Sequence, residues 1–318
     1  MFKTIAIVLL SLSVAAEPAL ADPPIASVQT ASPKPDPRAA PPVSDALAFS
    51  DQGERMTVPV KISGAGPYGF IVDTGAERTV ISRELAGTLG LAHGPDVRLT
   101  AMTGTSVVGT VVIPLISVST LAGERIDAPA LEARNLGAAG LLGIDTLQGH
   151  AVTIDFVHQQ MKVEPATKKL QRENFQTDEI IVHAKSVFGQ LVVTDAFYRG
   201  GRIQVILDTG SAVTMGNLAL RREVVHSLKD LKPISLLSVT GESLQADYTQ
   251  LPEIKVAGVN FTNLPVAFAD AAPFKRFNLV KRPALLLGMD SLKLFRRVRI
   301  DFANREVRLV LPDDTIHN

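Results

Sequence analysis

Two stretches of this chain carry one pattern: "FIVDTGAERTVIS" at 70–82 and "VILDTGSAVTMGN" at 205–217. Their aspartates stand 135 positions apart, and the similarity runs well beyond the motif. "MTVPVKISGAGPYGFIVDTGA" lies over "LVVTDAFYRGGRIQVILDTGS", "AMTGTSVVG" (101–109) over "SVTGESLQA" (238–246), and "AAGLLGIDTL" (138–147) over "ALLLGMDSL" (284–292). "VTIDFVHQQMKV" and "VRIDFANREVRLV" then close the two copies with a hairpin pattern. Four elements in the same order make an internal repeat, so the chain must build one supersecondary unit twice.

The texture between motifs is β. Short apolar-alternating runs such as "MTVPVKI", "VVGTVVIPLISV" and "AVTIDFV" have strand lengths, β-branched content and turn residues at their ends. Two helical windows interrupt them, "SRELAGTLG" and "NLALRREVVHSLK", with Ser82 and Asn217 where N-caps are expected. Zero Cys removes disulfides and thiol chemistry, and equal counts of 32 basic and 32 acidic residues point to neither nucleic acid nor an anionic membrane. The six His residues show no HExxH or i, i+4 pairing, so neither metal nor cofactor is expected. No Gly cluster has the spacing of a phosphate loop. The basic group Lys281, Arg282, Arg296, Arg297 and Arg299 reads as a solvated face.

The N-terminus has a basic start, the apolar run "TIAIVLLSLSVAA" and small residues "ALA" at 19–21, the pattern of a signal peptide over 1–21. Residues 22–46 are Pro- and Ala-rich and read as a linker. A first lobe is expected over 47–165, an inter-lobe linker over 166–184 and a second lobe over 185–313. The location expected is export, periplasmic or extracellular, with no stable membrane insertion once the leader is removed.

An apolar strand running into Asp-Thr-Gly delivers a carboxyl at the end of a rigid element, and Gly allows the sharp turn. One such Asp is nearly fully ionised at neutral pH and is a poor acid or base. Two held within a few Å cannot both ionise, so one keeps a proton while the other stays charged. Such a pair activates a water and protonates a carbonyl at once. That accounts for a motif present twice.

The chain resembles the retropepsin-like aspartic peptidases in a tandem two-repeat form, over about residues 50–165 and 185–312. Each copy carries the apolar-apolar-Asp-Thr-Gly signature and, downstream, the apolar-apolar-Gly signature as "LLGID" or "LLGMD". The resemblance implies a mainly β fold of two acid-protease β-barrel lobes, each with a short helix after the Asp-Thr-Gly turn and another near Leu-Leu-Gly. It implies that Asp73 and Asp208 are catalytic, that Thr74 and Thr209 cross-link the loops, and that Gly75 and Gly210 allow their approach. Ala76 and Ser211 follow the motifs; the resemblance implies that the Ser211 hydroxyl donates to Asp208 and makes it the more readily ionised carboxyl. Leu142, Gly143, Leu287 and Gly288 support the loops. Met102-Thr103-Gly104 and Val239-Thr240-Gly241 fall where the family has substrate-binding flaps, an ordinary hairpin turn being the alternative. Asp145 and Asp290 read as caps of the short helices, and Asp155 and Asp301 as strand-end turn residues.

The implied activity is an exported endopeptidase acting on polypeptide by direct water attack. A monomer with an intramolecular pair is favoured, and a homodimer pairing like repeats is the alternative. A non-catalytic peptide-binding protein is the rival class. The scarcity of aromatics, 5%, points to shallow aliphatic pockets.

Overall fold

The computed structural model describes residues 46–48, 50–52, 55–118, 121–122, 125–166, 179–227 and 231–312. The expected leader at 1–21, the expected 22–46 linker except its last residue, and 167–178 of the expected inter-lobe linker lie outside the described residues.

The fold is mostly β and forms two lobes built alike. In the first, Arg55–Ile62 and Ala65–Val72 form an antiparallel hairpin that leads into the first motif. Phe70, Ile71 and Val72 are buried because neighbours cover the strand on both faces, which is why its sequence is a continuous apolar run. Gly140–Leu142 lies parallel to that strand, with Leu142 opposite Val72, and antiparallel to Val80–Ser82. The second lobe repeats this. Gln190–Tyr198 and Gly201–Leu207 form the hairpin, Ala284–Leu287 runs parallel with Leu287 opposite Leu207, and Met215–Gly216 closes the set.

Both expected caps are present. Ser82 accepts from the Leu85 N–H at 3.1 Å and starts helix Arg83–Thr88. Asn217 accepts from the Leu220 N–H at 2.8 Å and starts Leu218–Val224. The Asn217 amide also donates to the Leu279 and Arg282 carbonyls at 2.7 and 2.6 Å, tying this helix to the loop that leads into Ala284–Leu287.

The closing hairpins do not stay with separate lobes. His150–Asp155 pairs antiparallel with Arg297–Asp301, so the two hairpins share one six-stranded sheet among the described residues. Ala46–Ala48 flanks one edge of it and Glu179–His183 the other, so the end of the expected 166–184 linker is a strand. One side of this sheet buries Val152, Ile154, Met161 and Val163 with Val298, Ile300, Val307 and Leu309. Each such aliphatic side chain contributes roughly 1.5–3 kcal/mol on burial, so the shared sheet helps hold the lobes together. Part of the basic face is paired across strands: Arg297 meets Asp155 at 3.2 Å and Arg299 meets Glu164 at 3.1 Å. Asp155 and Asp301 do end strands, accepting from the N–H groups of His158 and Asn304 at 2.9 and 2.8 Å. Among the described residues no helix is long and apolar enough to cross a membrane.

Candidate active site

The two motif loops meet face to face between the lobes. The parallel strands deliver each aspartate alike: the Asp73 N–H donates to the Leu142 carbonyl at 2.9 Å and the Asp208 N–H to the Leu287 carbonyl at 3.0 Å. Thr74 and Thr209 then exchange bonds across the interface. The Thr74 N–H donates to Thr209 Oγ1 at 3.0 Å and the Thr209 N–H to Thr74 Oγ1 at 3.1 Å. Each hydroxyl donates onward, Thr74 to the Leu207 carbonyl at 3.1 Å and Thr209 to the Val72 carbonyl at 2.7 Å. A symmetric, fully bonded crosslink between two buried loops results. A Cβ at Gly210 would overlap the Asp73 carboxyl, so this glycine is what lets the loops close on each other.

The Asp73 carboxyl packs against Gly210, two residues past Asp208, and neither aspartate is exposed. Their surroundings differ. Asp73 Oδ1 accepts from the Gly75 N–H at 2.9 Å, whereas Asp208 Oδ1 accepts from both Gly210 and Ser211 N–H at 3.0 and 3.1 Å. Burial pushes the Asp208 carboxyl from its ordinary 3.8 up to about 7, although the Gly210 and Ser211 N–H groups and the neighbouring Asp73 hold it back. The Ser211 hydroxyl departs from expectation. It donates to the Val213 carbonyl at 2.7 Å rather than to Asp208, because the turn curls its own carbonyl back within reach. What Ser211 donates to Asp208 is therefore its backbone N–H, not its side chain.

Asp145 and Asp290 do more than cap the short helices. The cap positions are Gly143 and Gly288, and neither makes a side-chain cap bond. Asp145, in the first turn, accepts from the Thr146 N–H at 2.9 Å and from the N–H and hydroxyl of Thr79, both at 2.8 Å. Asp290 accepts from the N–H and hydroxyl of Thr214 at 2.9 and 2.6 Å. The same hydroxyls accept from the Gly143 and Gly288 N–H groups at 3.1 and 3.0 Å. Each Asp-Thr pair thus staples the segment after a motif loop to the Leu-Leu-Gly turn. Burial raises both carboxyls above their ordinary range, against the pull of the threonine bonds. Gly143 and Gly288 are needed because a Cβ there would enter the backbone at Arg78 or Val213. Leu142 and Leu287 lie buried beneath the loops.

Thr79 and Thr214 went unread in the sequence, yet the signal was there: each follows its Asp by the same six positions. Gln190 and the pair Glu77 and Arg276 carried no such repeated signal. Gln190 is fully buried in the second lobe and donates its amide to the Gly75 carbonyl in the first. Arg276, also in the second lobe, pairs with Glu77, four residues past Asp73, and lies 4.3 Å over the Phe188 ring.

Met102-Thr103-Gly104 forms the tip of a hairpin between Val97–Thr100 and Thr105–Val108, with the Ala101 N–H donating to the Gly104 carbonyl at 2.7 Å. Val239-Thr240-Gly241 forms the corresponding tip between Lys232–Leu237 and Ser243–Val256, where the Gly241 N–H donates to the Ser238 carbonyl at 2.8 Å. Ala76 is fully buried at the end of the first loop, and its carbonyl accepts from the Ile144 N–H at 2.8 Å. Among the described residues no group of three or more His, Asp or Glu side chains is placed to hold a metal ion.

The family model described as "Aspartyl protease" matches residues 58–146 and again 195–291. Among solved structures, the aspartic proteinase from Irpex lacteus is similar at 13% identity and a TM-score of 0.49, covering 86% of this chain and 98% of that one. Among curated proteins, none matches.

Proposed function

This chain belongs to the aspartyl protease family, and from that premise we propose that it is an exported endopeptidase whose catalytic pair is Asp73 and Asp208. The family implies peptide substrates; the endopeptidase chemistry and the residues that perform it are our reading. One observation carries it: two carboxyls from two repeats adjoin in a fully buried position of one chain. Two adjacent carboxyls removed from water hold one negative charge and one proton between them.

In the proposed reaction a water between the two carboxyls attacks the scissile carbonyl carbon. Its proton passes to the ionised aspartate, while the other aspartate gives its proton to the carbonyl oxygen. The tetrahedral adduct then collapses: the C–N bond breaks and the amine leaves with a proton from the pair. Asp208 receives backbone N–H bonds from Gly210 and Ser211, and Asp73 one from Gly75, so both carboxyls are held in place by their own turns. Thr74, Thr209, Gly75, Gly210, Ala76 and Ser211 keep the carboxyls within reach of one water, so their part is positioning.

Cleavage of an unfolded protein at mildly acid pH, comparing the parent with Asp73→Asn and Asp208→Asn, tests the reading. Loss of turnover in both variants is expected. Intact cleavage in both would end it, and peptide binding without cleavage by the parent would favour the non-catalytic rival. The pair needs only one chain, so specific activity should not fall on dilution, as it would for an obligate homodimer. Export rests on the leader pattern at 1–21; the secreted product should begin close to Asp22 on N-terminal sequencing.

A further inference from the structure

A hairpin turn near the start of the second lobe docks on the first. Strands Lys185–Val187 and Gln190–Tyr198 are joined by Phe188 and Gly189, at φ 53° and 84°. Two consecutive positive φ values give the tight turn that matches strand twist, and a bulky Phe there is an uncommon choice. The turn is held to the first lobe at three points. Phe188 lies 4.3 Å from Arg276, which pairs with Glu77. Gly189 lies against Ile144, whose side chain a Cβ would crowd at 3.2 Å. Gln190, fully buried, donates its amide to the Gly75 carbonyl.

The third contact falls on the peptide unit that matters most to Asp73. Gly75 donates its own N–H to Asp73 Oδ1 at 2.9 Å, so a rotation of Gly75 moves a donor on the carboxyl. Glycine is the residue freest to rotate, and the next unit is held within its loop by a long bond, the Ala76 N–H to the Asp73 carbonyl at 3.3 Å. In the second loop the matching unit is anchored on the carboxyl itself, the Ser211 N–H donating to Asp208 Oδ1 at 3.1 Å. Gln190 also keeps a cost that packing alone would shed: its Oε1 is buried without a hydrogen-bond partner. A side chain retained only to fill space would carry no such oxygen, since a buried acceptor left unpaired destabilises the fold.

We propose that Gln190 is a positioning residue for the aspartate pair: from the second lobe it fixes the Gly75–Ala76 peptide of the first, and through it the Asp73 carboxyl. The proposal rests on the peptidase reading. Docking of the Phe188-Gly189 turn and placement of Asp73 are then one event, because the group that holds the first loop belongs to the other lobe. The Glu77–Arg276 pair and the Gly189–Ile144 contact seat the turn, and the Gln190 amide transmits that seating to the loop.

Gln190→Met keeps length and volume while removing both the donor and the unpartnered oxygen. Its kcat on an unfolded protein substrate should fall at least about tenfold with KM within about twofold, the mark of a misplaced reacting group. Its Tm should stay within about 3 °C of the parent's, because the lost bond and the lost penalty offset each other. Gln190→Glu donates to the Gly75 carbonyl only while protonated. Its kcat relative to the parent should be near one at the acid end of the range and fall at least about tenfold by about pH 8, whereas the Met variant keeps a constant ratio. Parental kcat in the Met variant overturns the proposal, whether or not Tm drops, and so does a Glu variant no better than Met at any pH. If the parent cleaves nothing, the peptidase reading is what fails, and Gln190 is judged by hydrogen exchange. Gln190→Met should then speed exchange over residues 73–77 at least about tenfold while 208–212 is unchanged. No change in either segment, or equal acceleration of both, overturns the assignment.

Discussion

Thr74 and Thr209, 135 positions apart, each accept the other's backbone N–H on their hydroxyl, at 3.0 and 3.1 Å. Neither lobe can satisfy its own loop, so each loop is complete only against its copy. Thr74→Val removes an acceptor and a donor and leaves the buried Thr209 N–H without its partner, at a cost of about 1–3 kcal/mol. Thr74→Ser keeps the hydroxyl and should retain most stability and turnover. Urea melts of the two variants check this, and equal destabilisation by Val and Ser would contradict it.

A proton held by the buried pair makes stability depend on pH. Burial raises Asp208 from 3.8 to about 7, so between those values the folded chain keeps a proton that the unfolded chain has released. Stability is therefore full below about pH 4 and falls as pH rises to about 7, by at most about 1.4 kcal/mol per pH unit. Asp208→Asn removes this contribution, and its melting temperature should gain on the parent most above pH 7. Parallel pH–Tm curves for the two proteins would count against burial as the cause.

The Ser211 hydroxyl faces the Val213 carbonyl, not Asp208. Ser211→Ala should cost about 1 kcal/mol in stability for the lost bond. Its pH–rate profile should superimpose on the parent's, since the N–H that reaches Asp208 is kept. A shifted acidic limb would show that the hydroxyl reaches the carboxyl after all.

Gly210 has the Asp73 carboxyl where its Cβ would lie. Gly210→Ala should fold, because Gly210 is not at positive φ, yet it must push the carboxyls apart. A loss of kcat of at least about 100-fold with little change in KM is expected, as for misplaced reacting groups. Wild-type kcat in this variant would mean that the loops have slack.

The staples Asp145–Thr79 and Asp290–Thr214 hold the loops from behind. Asp290→Ala leaves the Thr214 N–H and hydroxyl without that acceptor and should destabilise by about 2–3 kcal/mol. Asp290→Asn keeps one acceptor oxygen and should recover much of this. Were Asn as damaging as Ala, charge rather than bond geometry would be what matters at this position.

The aspartate pair was legible in the sequence because the repeat writes each strand-turn locally: an apolar run to bury, an Asp at its end, a Gly to turn. The two N-caps were legible for the same reason, since Ser82 and Asn217 bond groups three residues away. Thr79 and Thr214 were readable but unread, their equal offsets from Asp73 and Asp208 being visible only once their partners are known. That Met102 packs among residues of the second lobe and Val239 among residues of the first was not legible at all, because both are apolar residues in a turn and their pattern is the same whichever lobe they enter. Nor could the Ser211 hydroxyl be assigned by motif, since a carbonyl two residues on competes for it at 2.7 Å.

By itself the sequence determined the doubled unit, its β class, its caps and the two carboxyls, all of which depend on neighbours a few residues apart and on burial patterns of short period. Only the tertiary structure decided that the closing hairpins form one shared sheet, that Gln190 and Arg276 brace the loop of the other lobe, and that each tip crosses over. Those contacts join residues tens to nearly two hundred positions apart. Their partners are selected by shape and by unmet hydrogen bonds once the lobes meet, and that selection leaves no period in the chain.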